Sequence, residues 1–341
     1  AAAWLPAAWI DMIATVSAGL PGATVAVVAG PVVALLVGVL STAFTVVLVW
    51  PRSRRLRVAS VVVVIIALGV GGSRMLLDGP LAPLTSSGEW AVAMCDIGQG
   101  DATLIRSAGR TALVDTGPDA DALRACLAQT GVTHIDLLVL THFDLDHVGG
   151  TSAVVGRVGT VLHGPVVEDD ERRMLADLAQ AGATLRDASV GLSGTLGDAH
   201  WRVLWPDADP VVFPSGNDAS VVLEVSGGGV PKSLLLGDLG AASQRMLLSS
   251  GVVRGTYAVV KVAHHGSGDQ EPALYAAARA PVALIGVGAD NDYGHPRAET
   301  LAFLEAEGSR ALRTDQRGLI LLGVRGDELL VWSEKSQPEG G

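Results

Sequence analysis

The chain has 341 residues, a length that suits about two domains. It carries 24 Lys and Arg against 35 Asp and Glu, a formal net charge of −11 at pH 7; that balance argues against generic polyanion binding by a basic surface. With only two cysteines a disulfide framework is excluded. Cys95 and Cys126 read as small buried hydrophobes, with one bridge open if the domain faces an oxidising space.

The chain opens on Ala1 without a basic n-region and cleavage site, which reads as a piece of a longer protein rather than a signal peptide. Residues 4–20 predict a helix with Trp9, Ile13, Val16 and Leu20 on one stripe, so 1–20 is expected to be amphipathic or interfacial. Pro21-Gly22 ends it. No charge occurs over 23–50, long enough to cross about 30 Å of hydrocarbon, and Pro31 predicts a kink or a late start. Pro51-Arg-Ser-Arg-Arg-Leu-Arg57 follows. A second apolar run over 58–73 is short for a span unless Arg57 and Arg74 snorkel and Met75-Leu76-Leu77 extends it. Buried core helices of this length would show a polar face, and these do not. Two transmembrane helices, about 23–50 and 58–77, are therefore expected. The four arginines between them place that loop in the cytoplasm, and everything after Asp78 outside it.

Residues 78–88 read as a linker. The texture then changes to short β-branched runs alternating with helical ones. Strands are predicted over 90–97, 102–107, 111–115, 135–141, 158–163, 184–187, 202–205, 220–226 and 233–237. More follow over 258–262, 282–287, 311–314, 319–324 and 328–333. Helices are predicted over 119–129, after Gly150, and over 171–181, 241–249, 271–278 and 296–307. Gly227-Gly228-Gly229 predicts a hairpin turn. Residues 89–335 thus suit one α/β sandwich, two sheets inside and helices outside, with 336–341 as a tail. Subtracting the five basic and two acidic residues of 1–85 from the totals leaves 19 and 33, a net of −14 for the rest.

The polar motifs fall at strand ends. His142-Phe-Asp144-Leu-Asp146-His147 holds two imidazoles and two carboxylates within six residues, the ligands that borderline and hard divalent cations accept. Their crowding favours two ions, with His142 and Asp144 facing one and Asp146 and His147 the other. Asp238 follows three leucines with only Gly237 between; a carboxylate there is costly unless it meets a cation, and it is the candidate bridge. His264, His265 and His295 can complete the shells, and Asp115 is placed to orient a histidine. Asp146, His147, Asp238 and Lys261 are the candidate catalytic residues, with Lys261 and Arg297 as candidate phosphate contacts.

This ordered set resembles the metallo-β-lactamase superfamily, whose signature is H-x-H-x-D-H, with Asp144 in place of the second histidine. Asp96-Ile-Gly-Gln-Gly-Asp101, Asn217-Asp-Ala-Ser220, Lys261-Val-Ala-His-His-Gly-Ser267 and Tyr293-Gly-His-Pro296 add to it. Together they are similar to the C-terminal domain of the ComEC-type DNA-internalisation competence proteins. The resemblance covers about 89–325 and implies an αββα sandwich behind the last helices of a channel. It also implies two divalent metal ions, Mn or Zn, on His142, Asp144, Asp146, His147, Asp238, His264, His265 and His295. Asp115, Asp101 and Asn217 would brace them. The implied activity is a two-metal nuclease degrading the strand that is not transported. Its partners would be DNA (single strands or strand ends), the membrane, the channel-forming remainder of the chain and other uptake proteins. It would sit in a bacterial cell membrane with the catalytic domain outside. A membrane-anchored hydrolase of a small ester, lactone or phosphodiester is the competing reading, and a non-enzymatic metal-stabilised module the third.

Overall fold

Alternation of side chains is what divides this chain into layers. In a computed structural model, residues 90–208, 212–326 and 328–335 are described, together with residues 54, 58 and 60–62, which are helical. The first half supplies β1 (Val92–Met94), β2 (Thr103–Ser107), β3 (Arg110–Val114), α1 (Ala120–Gln129), β4 (Ile135–Leu140), α2 (Leu145–Val148), β5 (Val158–His163), α3 (Asp169–Gln180) and β6 (Thr184–Asp187). The second supplies β7 (Ser193–Leu196), β8 (Ala199–Trp205), β9 (Val222–Gly227), β10 (Val230–Leu235), α4 (Ala241–Ser249), β11 (Val259–Lys261), α5 (Pro272–Ala278), β12 (Val282–Ile285), α6 (Ala298–Ala306), β13 (Arg310–Arg313) and α7 (Thr314–Arg317). The chain then returns to the first sheet with β14 (Ile320–Arg325) and β15 (Glu328–Ser333).

One sheet runs β15-β14-β1-β2-β3-β4-β5-β6 and the other β13-β12-β11-β10-β9-β8-β7. Leu137 and Val139 of β4, with Leu235 of β10 and Val259 of β11, face the space between the sheets. Leu138 and Leu140 turn the other way, onto Leu123 and Leu127 of α1 and Leu175 and Leu178 of α3. Leu234 and Val260 pack outward with Leu247, Leu274 and Leu304 of α4, α5 and α6. Strand segments covered on both faces are apolar throughout, and that is why 137–140 and 234–236 read as unbroken runs. The result is the expected sandwich, helices outside two sheets.

Several sequence expectations are corrected. Cys95 and Cys126 are joined by a disulfide, tying the end of β1 to α1, so they are not two separate thiols. The helix expected after Gly150 lies before it: α2 carries Asp146 and His147, and only a 3-10 turn at Thr151–Ala153 follows. β7 was not predicted. Among the described residues no helix is long and apolar enough to cross a membrane. The expected helix over 1–20, the linker over 78–88 and the tail over 336–341 lie outside the described residues. So do the spans over 23–50 and 58–77, apart from 58 and 60–62.

Candidate metal centre

Strands β3, β4 and β5 are parallel, with Val114 beside Val139 and Leu140 beside His163. Strands β10, β11 and β12 are parallel too. Their C-terminal ends therefore open on one edge of the sandwich. Asp115, just past β3, has φ +61°. Its Oδ1 accepts the Thr141 backbone N–H and its Oδ2 the Thr141 hydroxyl, each at 2.8 Å. Oδ2 also takes His147 Nδ1–H at 2.8 Å. One buried carboxylate thus locks two strand ends and aims His147 Nε2 at Asp238 Oδ2, 3.2 Å away.

Across the edge, the Asp238 backbone N–H donates to Ser220 Oγ at 3.1 Å. His264 and His265 follow β11 in left-handed backbone (φ 49° and 51°). Of the five non-glycine residues with positive φ among those described, three are Asp115, His264 and His265; such strain concentrates at functional sites. His265 Nδ1–H donates to Gly286 O at 2.9 Å. That leaves Nε2 facing Asp146 Oδ2 at 3.1 Å and Asp238 Oδ2 at 3.4 Å. Gly286 is glycine for a reason: a Cβ there would meet Asp101 Oδ1 at 2.5 Å. His142 Nε2 lies 3.6 Å from Asp144 Oδ2, its ring 4.1 Å from that of His147, with Thr141 and Ser220 hydroxyls at Nδ1.

Charge in this group is closely balanced. Burial opposes ionisation of Asp238, yet His147 and His265 hold it well below the carboxylate range. Burial likewise opposes charge on Asp101, but Lys261, His265 and His147 outweigh it and hold it at about 2. Burial should strip the proton from His147; Asp238 and Asp115 prevail and raise it to about 10. His265 is raised well above its ordinary value against burial, by Asp238 and Asp101. The carboxylates thus draw cationic charge into the protein interior. His295 is the opposite case: burial, with His264, His265 and Arg297 nearby, pushes it down to about 4. Burial also lowers His264.

These residues fit divalent cations. His142 Nε2, His147 Nε2, Asp238 Oδ1 and His295 Nδ1 are buried without a hydrogen-bond partner among the described residues, a state that buried polar atoms rarely tolerate. The separations of 3.1–3.6 Å between facing ligand atoms match the edge of a tetrahedral shell with bonds of about 2.1 Å, roughly 3.4 Å. Asp146, His147, Asp238 and His265 offer one such set. His142 and Asp144 open a second beside it.

The remaining candidates take different places. His264 is one-third exposed, 3.9 Å from Asp238 Oδ2 and 3.4 Å from Asn217 Nδ2. His295 stands behind it, ring centroids 5.7 Å apart. Asp101 joins a buried group with His147, Asp238 and His265, but reaches both imidazoles from their Nδ1 sides, at 4.0 and 3.5 Å. It therefore backs the site, as Asp115 does. Lys261 is 3% exposed; its ammonium pairs with Asp101 and donates to Gly237 O at 3.2 Å. It faces the interior, away from where a phosphate would enter. Arg297 is exposed. Sequence reading gave Thr141, Ser220 and Gly286 no part in the site, because what they do comes only from strand neighbours. His163 ends β5 on the same edge but bonds Gly164 O and, among the described residues, joins no ligand group. A cleft of about 130 Å³ opens on the cluster, lined by Gln99, Asp144, Asp146, Asp238, His264, His265, Tyr293 and His295.

ComE operon protein 3 of Bacillus subtilis (strain 168) is 31% identical over 266 residues, 70% of this chain and 33% of that protein. Competence protein ComA of Neisseria gonorrhoeae is 30% identical over 247 residues, 69% and 32% respectively. The chain spans about a third of the length of the curated relatives it matches. Among solved structures, CmlA, a diiron β-hydroxylase from Streptomyces venezuelae, superposes with a TM-score of 0.48 at 16% identity, covering 66% of this chain and 53% of that one. The profile of the metallo-β-lactamase superfamily matches residues 95–279, from the end of β1 through the His264-His265 turn, and with the acid–imidazole cluster inside that span the chain belongs to this superfamily.

Proposed function

We propose that the chain is the metal-dependent nuclease part of a DNA-uptake channel, hydrolysing phosphodiester bonds of the strand that is not transported. The observation that carries this reading is the buried trio His147, Asp238 and His265, with partly exposed Asp146 facing His265 and with His147 Nε2 and Asp238 Oδ1 unpartnered, beneath a cleft that Asp146, Asp238 and His265 line. Two divalent ions held there, Mn or Zn, would supply Lewis-acid activation of water and of the phosphoryl group. The protein's own work is orientation. Asp115 and Gly286 O fix the tautomers of His147 and His265, so that Nε2 of each is the free ligand atom. Lys261 and Asp101 neutralise each other beneath them. In the neutral forms that burial favours, His264 and His295 line the open side of the cleft.

DNA as the substrate is inferred from the motif resemblance, and it is supported by relatives named ComE operon protein 3 and Competence protein ComA. Placement outside the cytoplasm is supported by the Cys95–Cys126 bridge, since disulfides persist in oxidising compartments, and by Arg52, Arg54, Arg55 and Arg57 between two apolar runs. Val58 and Val62 are 56% and 47% exposed, as lipid-facing side chains would be. The net charge of −14 beyond residue 85 implies weak, salt-sensitive binding to free DNA. The test is cleavage of labelled single-stranded DNA by the purified chain with manganese or zinc. Metal-dependent cutting that Asp146→Ala abolishes is expected. A folded, metal-loaded chain that leaves DNA intact and turns over a small ester or cyclic phosphodiester would decide for the competing hydrolase.

A further inference from the structure

The cleft is too small for the substrate this reading gives it. Its volume of about 130 Å³ falls well short of the roughly 300 Å³ at which pockets begin to enclose a drug-sized molecule, so it admits a phosphodiester group but not the nucleosides on either side. Those must lie on the rim. The residues lining the cleft are carboxylates, imidazoles and one amide apart from the aromatic Tyr293, which is 63% exposed. Leu145, 72% exposed, stands between Asp144 and Asp146 of the same lining. Among the described residues, a phenol ring in the lining and, next in sequence to two lining carboxylates, an isobutyl group are thus left in water.

Tyr293 is also held in advance. Asn291 spans its loop, donating from Nδ2 to Gly288 O (2.8 Å) and His295 O (3.0 Å) and accepting the His295 backbone N–H on Oδ1 (3.0 Å). Gln99 Oε1 accepts the Gly288 N–H at 3.3 Å. The Tyr293 ring lies 5.7 Å from that of His295, tilted by 31°, and most of its remaining surface is open.

We propose that Tyr293 is the platform on which an unpaired nucleobase stacks while its phosphate enters the cleft, with Leu145 as an apolar flank. The inference rests on the nuclease reading and adds the feature of DNA that the site recognises. A base can meet the ring only when it has left its own stack, so the site takes single strands and frayed ends and discriminates against intact duplex. Tyr293 positions substrate and moves no proton.

The test uses the full chain with manganese and three variants, Tyr293→Ala, Tyr293→Phe and Leu145→Ala. Cleavage of a single-stranded oligonucleotide is compared with that of the same strand made abasic around one phosphodiester. Stacking of one base predicts that the wild type prefers the base-bearing bond by about 5- to 100-fold. Tyr293→Ala should collapse that ratio towards one, chiefly through KM. Tyr293→Phe should keep it, and Leu145→Ala should lower it partway. A Tyr293→Ala chain that retains the ratio, or a Phe variant as damaged as Ala, overturns the proposal. A second readout does not depend on cutting: a single strand bearing 2-aminopurine should lose fluorescence on binding the wild type and not on binding Tyr293→Ala. If the wild type leaves DNA uncut, the nuclease reading fails, and the quenching alone then decides the stacking site. Absence of any quenching overturns it.

Discussion

Replacing Lys261 by Met keeps the stem of the side chain and removes its ammonium group. That group is paired with Asp101, stands 3.8 Å from Asp238 Oδ1 and donates to Gly237 O at 3.2 Å. Its loss leaves Asp101, 2% exposed, with only His147 at 4.0 Å and His265 at 3.5 Å as cationic neighbours. Breaking a buried pair from one side costs about 3–5 kcal/mol. The two histidines place this case near the lower end, about 3 kcal/mol, a fall in Tm of roughly 6–12 °C for a domain of this size. Lys261→Met with Asp101→Asn removes both charges and should recover about 2 kcal/mol of that loss, so the pair is strongly coupled. The assay is thermal unfolding of the chelator-treated chain by circular dichroism, for all four members of the cycle. If the two changes simply add, or if Lys261→Met lies within about 1 kcal/mol of the wild type, Lys261 is not the internal counter-ion described above. It would then be free to meet a substrate phosphate.

Three further expectations concern regions away from the metal centre. Glu224 accepts hydrogen bonds from Arg202 (2.7 Å) and Tyr257 (2.6 Å); burial opposes its charge, but Arg202 and Tyr257 hold its pKa below the ordinary value. A depressed carboxylate stabilises the fold above its unfolded pKa and loses that contribution as pH falls through the folded one. The Tm gap between wild type and Glu224→Gln should therefore be open at pH 7 and narrow as pH falls below the ordinary glutamate value of about 4.3, and a gap that does not change with pH contradicts this. The Cys95–Cys126 bridge spans 31 residues, so Cys95→Ser with Cys126→Ser should lose about 3–4 kcal/mol; equal melting of wild type with and without reductant would mean the bridge does not form. For topology, a cysteine introduced as Ser86→Cys should react with an impermeant thiol reagent in intact cells, and labelling only after lysis would place the domain in the cytoplasm.

Much of the candidate site was legible because its candidate ligands come in short runs at strand ends. His142 to His147 could be read as a metal cluster from residue types alone, and Asp238 from the cost of a carboxylate after three leucines. The α4 bounds, 241–249, agree with those read from sequence, since one apolar face and flanking glycines mark both ends. Less legible was anything set by neighbours across the sheets. β7 is a four-residue, glycine-containing strand with little apolar content, recognisable only once β8 is beside it. Ser220 and Gly286 earn their places by touching His142 and His265, which are 78 and 21 residues away in sequence. Lys261 looks like a phosphate ligand in a motif; only burial reveals that it points inward. The two motif histidines could not be told apart until the left-handed turn showed His265 facing Asp146 and His264 facing Asn217.

On the proposed reading, this acid–imidazole cluster would hold two divalent cations bridged by Asp238. Elemental analysis of the purified chain, after loading with manganese or zinc and removal of free metal, tests it most directly. The expected result is close to two equivalents per chain, falling to one or none in Asp238→Ala while circular dichroism stays native. A folded wild-type chain that retains no metal, or an Asp238→Ala chain that still holds two equivalents, would contradict it.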